Sequence, residues 1–207
     1  MIKAIGIISA AGKAERFGGV SKELLPAKDG FSLISHAYKR LQPVCDLVIV
    51  VTNKDKVRDH IKELEDVYFV EQTNQLDILG AIQSGMKKIK AERYYFTMPD
   101  TFLRDDVFID MPLGDGFSIG LFETLKPEKF GCLVDKVVYD KSSDVPSPAQ
   151  AWGVLSWNGM IQDLFFENPD LPLVLNNAIK KYGFEYWDIG EYYDMATIHD
   201  YIEYLKT

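Results

Sequence analysis

Four times within the first hundred residues, a strand-like apolar run gives way to a helical or loop stretch. MIKAIGIISA and DLVIVVTN lack polar alternation, the pattern of strands buried on both faces of a parallel sheet. VYFVEQ and YYFTMPD are two further strands. Between them SLISHAYKRL carries Leu33, Ile34, Ala37, Tyr38 and Leu41 at helical spacing, with Ser32 placed as an N-cap. Lys54 to Leu64 and Asp77 to Lys90 predict two more helices. This alternation predicts a doubly wound, mostly parallel α/β sheet, Rossmann-like in outline.

The second half is less regular. FSIGLFE, KVVYD and AWGVLSW predict strands with little helix between them, so a mixed extension of the sheet is expected. Asn158 to Phe166 and Leu173 to Lys181 predict helices, FEYWDIG a last short strand, and Thr197 to Lys206 a closing helix. SSDVPSPAQ, the most loop-like segment, lies between two strands and predicts a site loop rather than a boundary. With 207 residues, a single domain is expected, with halves at about 1–110 and 111–207.

A net charge of −8 argues against an extended nucleic-acid surface, which needs a basic stripe. It leaves room for a small anion held by a local cluster of cations and backbone N–H groups. No apolar run approaches ~18 residues, so no membrane span is expected. The chain opens without a basic-then-apolar leader, and a cytoplasmic protein is expected. Cys45 and Cys132 lack metal-ligand spacing and predict buried free thiols. His36, His60 and His199 fall on predicted helices without convergent partners, so solvated or capping roles are expected.

The chemistry concentrates after the first strand. A buried strand running into Ala10, Ala11, Gly12 and Lys13 brings backbone N–H groups to the carboxyl edge of the sheet. Small residues there let a phosphate approach the main chain. Arg16 and Lys22 follow, two cations able to fold over a triphosphate. The loop has neither G-x-G-x-x-G spacing nor a Walker A pattern.

IISAAGKAERFGGVSKELLP resembles the signature of the nucleotidyltransferases that make sugar nucleotides, such as glucose-1-phosphate thymidylyltransferase and UTP–glucose-1-phosphate uridylyltransferase. Gly12, Arg16 and Lys22 fall on its positions, while Ala14 and Glu15 depart from it. The resemblance implies that Arg16 and Lys22 hold the β and γ phosphates and take up charge on the leaving pyrophosphate. EQTNQLDILGAI resembles the base-recognition segment, implying that Gln72 meets the base edge and that Leu76 and Gly80 shape the nucleoside pocket. Asp77 stands there in place of a glycine. YYFTMPDT resembles the strand that delivers a metal-binding aspartate, here Asp100. YYDMATIHDYIEYL resembles the segment with the second one, Asp194, with Ala196 in place of a glycine and Asp188 the rival position. KVVYDKSSDVPSPAQAWGVLSW resembles the acceptor segment, implying Lys141 on the acceptor phosphate, Asp140 on a hydroxyl, and Trp152 and Gly153 in the acceptor pocket.

The resemblance therefore implies transfer from an NTP to a sugar-1-phosphate, with Mg²⁺ as cofactor, a nucleotide-binding first half and an acceptor-binding second half. A cytidylyltransferase acting on a polyol or alditol phosphate is the rival, because AAGKAERFGG also resembles that branch. An inactive regulatory paralogue is a second, motivated by Glu15, Asp77 and Ala196. Base, acceptor and oligomeric state stay open at this point, a homo-oligomer being one outcome.

Overall fold

In a computed structural model, residues 2–72, 77–87 and 89–207 are described, without the side chains of Arg16, Arg58 and Ile61. Strands β1 (Ile2–Ser9), β2 (Leu47–Thr52), β3 (Val67–Glu71) and β4 (Ala91–Thr97) form the expected parallel half. A two-residue strand β5 (Thr101–Phe102) follows, then β6 (Phe117–Thr124), β7 (Gly131–Val134), β8 (Val137–Asp140) and β9 (Ala149–Asn158). The chain ends through β10 (Phe184–Asp188) and β11 (Tyr193–Asp194). The main sheet runs β10-β6-β9-β4-β1-β2-β3, with the β7–β8 hairpin attached to β9. Strand β9 runs antiparallel to both β4 and β6, while β10 lies parallel to β6. The result is the mixed, mostly parallel single-domain sheet predicted.

Helices cover both faces: α1 (Leu33–Leu41), α2 (Val57–Glu63), α3 (Ile78–Met86), α4 (Leu164–Glu167), α5 (Leu171–Tyr182) and α6 (Ile198–Lys206). Ser32 caps α1 by accepting from the Ser35 amide. Thr197 and Asp200 form a reciprocal capping box on α6. Helix α3 stops four residues before the expected Lys90, and the predicted helix at 158–166 is a 3-10 turn at Gly159–Ile161 followed by the short α4.

Because strand side chains alternate, β1 feeds two cores. Ile5 and Ile7 join Leu79, Ile82 and Met86 of α3, whereas Ile8 joins Ile34, Ala37 and Leu41 of α1. Each such fully buried aliphatic contributes about 1.5–3 kcal/mol. Gly6 makes the second contact close: a Cβ there would lie 2.9 Å from Leu41 Cδ1. A third cluster gathers Ala27, Leu33, Met195 and Tyr204, tying α6 to the segment after the first loop. No helix among the described residues is long and apolar enough to cross a membrane.

Candidate active site

Strand β4 ends at the carboxyl edge, and Pro99-Asp100 turns the chain into β5. There Asp194 of β11 pairs with Thr101, and the Met195 amide donates to the Asp100 carbonyl at 3.0 Å. Two aspartates separated by 94 positions in sequence are thereby brought together, Asp100 in the turn just before β5 and Asp194 on the strand that pairs with β5. Burial, then the charge of Asp100, push the Asp194 carboxyl up to about 6, with Lys22 acting in the opposite direction. Lys22 leaves a 3-10 turn (Lys22–Leu24) and forms an ion pair with Asp100.

These three groups line a cavity of about 650 Å³ with Asp140, Lys141 and Trp152. Asp140 closes β8, and Lys141 takes a left-handed backbone with φ of 45°, its amide donating to Phe130 O. Trp152 of β9 is 9% exposed, so it is at once core and cavity wall. It lies over Gly131 of β7, where a Cβ would run into the indole nitrogen. Tyr192 closes the other side. Burial first, then Asp194 and Asp100, push its hydroxyl well above the ordinary tyrosine range, and its ring stacks on Phe122 at 4.1 Å. Asp188 faces a separate cavity with Glu123 and Gln150, away from Asp100.

Among the described residues of the loop after β1, Ala10 to Glu15 do not line this cavity, whereas Lys22 does. Ala10 and Ala11 are buried, with the Ala10 amide donating to Val51 O and Asn53 Nδ2 donating to Ala11 O. Gly12 and Lys13 are exposed, and their amides meet no acceptor among the described residues. The Arg16 side chain and the whole of Leu76 lie outside the described residues. Gln72 is buried and donates to Asp77 O at 3.0 Å, while Asp77 caps α3 through the Gly80 amide at 2.7 Å. The acid at position 77 thus has a helix-capping task. Gly153 packs beneath the Tyr192 ring, its position allowing no Cβ.

Two of the histidines overturn the expectation of solvated or capping roles. His60 is fully buried, its Nε2 3.0 Å from Glu23 Oε1 and its Nδ1 3.0 Å from Thr52 Oγ1. His36 is 3% exposed and bridges Asp29 and Asp105. Its pKa is raised, because hydrogen bonds and charges from the two aspartates outweigh the downward effect of burial. The available signal was register: His36 and Arg40 flank the apolar stripe of α1 one turn apart. Glu23, buried and salt-bridged to Lys56 at 2.8 Å, was also not foreseen.

A model of the MobA-like NTP transferase domain matches residues 6–111, about half of the chain. The chain belongs to the MobA-like NTP transferase family. No curated protein matches it in sequence. Among solved structures, this NTP transferase is similar to a Bacillus anthracis protein described as a glucose-1-phosphate thymidylyltransferase, in complex with sucrose. The two are 18% identical with a TM-score of 0.83, over 98% of this chain and 94% of that one. It is also similar to the inositol-1-phosphate CTP transferase of T. maritima, at 15% identity and a TM-score of 0.75, over 99% and 95% of the two chains. These likenesses establish the fold of the NTP transferase along nearly its full length.

Proposed function

We propose that this chain transfers a nucleotidyl group from an NTP to a sugar- or polyol-phosphate, releasing pyrophosphate, and that Asp100 and Asp194 are the residues that would hold Mg²⁺. The observation that carries the reading is the convergence of Lys22, Asp100 and Asp194 with Asp140 and Lys141 around one cavity. The family supplies the NTP, and both similar structures are described as acting on phosphorylated polyhydroxyl compounds.

The donor set suits Mg²⁺. Burial first, and then the neighbouring charge of Asp100, disfavour the ionised Asp194, and a divalent cation would offset both. Among the described residues no third acidic, histidine or cysteine ligand joins them, which leaves the remaining positions to water and phosphate oxygens. When bound, the cation supplies charge neutralisation at the α-phosphate.

A phosphate oxygen of the acceptor attacks the α-phosphorus, forming one P–O bond as the bond to the β-phosphate oxygen breaks. The nucleophile is already an anion, so no proton need be removed from it. The obstacle is repulsion between anions, which positioning and fixed charge overcome. Lys22 and Arg16 offset charge on the departing pyrophosphate. Lys141 anchors the incoming phosphate, and Asp140 accepts from a hydroxyl of the acceptor. Trp152 and Tyr192 wall the chamber and exclude competing water.

A pyrophosphate-release assay crossing each NTP with glucose-1-phosphate, inositol-1-phosphate and alditol phosphates tests the reading. Release with one pair supports it and separates the sugar-phosphate from the polyol-phosphate branch. No release from any pair in Mg²⁺ refutes it and favours a regulatory binding role.

A further inference from the structure

Helix α1 turns two buried polar side chains towards the back of β5. His36 meets the Phe102 ring edge-on at 5.1 Å. One turn later Arg40 is completely buried. Its Nη1 donates to Thr97 Oγ1 at 2.9 Å, and its Nη2 to the Thr101 carbonyl at 2.8 Å. Those two acceptors stand at either end of the turn that presents Asp100. Thr101 Oγ1 closes the same turn by donating to Met98 O at 3.0 Å.

Stability alone gives a poor account of this arginine. Asp105 supplies a favourable charge but forms its ion pair with His36, so that no carboxylate pairs with Arg40 among the described residues, and its Nε finds no acceptor there. Removing a cation from water costs several kcal/mol unless contacts offset it, and an apolar side chain would fill the space without that cost. What an apolar residue lacks is a planar fork able to hold two acceptors at a fixed separation, and lysine lacks it too.

We propose that Arg40 is a positioning residue for the carboxylate pair. By fixing the 97–101 turn at both ends, it sets the direction of Asp100. Through the β5–β11 ladder it also sets that of Asp194. The inference rests on the reading of these aspartates as cation ligands.

The test measures Mn²⁺ uptake by electron paramagnetic resonance in the wild type, Arg40→Lys, Thr97→Val and Thr97→Ser. Exchange of the Met195 amide is followed in parallel without metal. Arg40→Lys and Thr97→Val are expected to keep a cooperative melting transition, raise the half-saturating Mn²⁺ roughly tenfold or more, and speed Met195 exchange. Thr97→Ser, which keeps the hydroxyl, is expected to restore wild-type uptake. Should Arg40→Lys fail to fold, Thr97→Val decides. Wild-type Mn²⁺ midpoints in the folded variants overturn the positioning role while leaving the cation site standing. A wild type that takes up no Mn²⁺, with or without a mixture of NTPs, sinks the cation-ligand reading itself and this inference with it.

Discussion

Glu23 follows Lys22 directly in sequence yet points the other way, into a buried cluster with Lys56 and His60. Burial acts to raise its carboxyl, but hydrogen bonds from His60 and Lys56 and the charge of Lys56 prevail, leaving it below its ordinary 4.5. A depressed acid stabilises the fold above its unfolded pKa and ceases to as pH falls through the folded one. The unfolding free-energy gap between wild type and Glu23→Gln is therefore expected to be level above about pH 5 and to shrink in acid. A gap that widens on acidification contradicts this. Glu23→Leu strands Lys56 as a buried charge, at a cost of about 3–5 kcal/mol in urea unfolding, and adding Lys56→Met recovers part of it. On the other side of the same turn the expected loss is catalytic. Lys22→Ala and Asp100→Ala should each lower turnover by about 10²–10³ with melting temperatures close to wild type, and unchanged rates would remove both from the mechanism.

At element scale, the short hairpin β7–β8 decides where a site group sits. Gly131 has Asp140 as its ladder partner, and Trp152 of the neighbouring strand occupies the space a side chain would need. Gly131→Ala is expected to push the indole from its place, raising the KM for the acceptor several-fold while NTP KM holds. Equal KM values would mean that Trp152 does not shape the acceptor end. This hairpin was only half legible in the sequence. KVVYD announced β8, but Gly131–Val134 is four residues long and begins with the glycine that would ordinarily argue against a strand. Strands β1, β2 and β4 were plain because burial on both faces leaves no polar alternation to confuse them. The pairing of Asp100 with Asp194 was suggested by resemblance and could not come from local pattern, since it depends on a two-residue ladder between distant segments. Arg40 and Glu23 escaped notice and His60 was expected at the surface, because charged and titratable residues on helices and turns ordinarily face water, and partners far along the chain make these exceptions.

At the scale of the whole molecule, the cavity is a seam. Lys22 and Asp100 come from the part of the chain that the NTP transferase model matches, and Asp140, Lys141, Trp152 and Asp194 come from beyond it. Reversed strand β9 joins the two parts within one sheet. The last helix returns to the first part, with Tyr201 Oη donating to Pro26 O at 2.7 Å and Tyr204 buried against Ala27 and Leu33. That return carries Asp194 back to Asp100 and keeps the segment after Lys22 in place. If the first part holds the NTP and the second the acceptor, single substitutions should separate the two substrates kinetically. Lys141→Ala removes a charge-assisted contact worth ~1.5–3 kcal/mol, so the acceptor KM should rise about 10- to 100-fold with NTP KM little changed. Lys22→Ala should instead depress kcat and leave acceptor KM near wild type, because its charge is called upon as pyrophosphate departs. Steady-state kinetics with each substrate varied in turn reads both. If Lys141→Ala weakens the NTP and spares the acceptor, the two ends of the cavity are assigned the wrong way round, and the direction of transfer across the seam must be reversed.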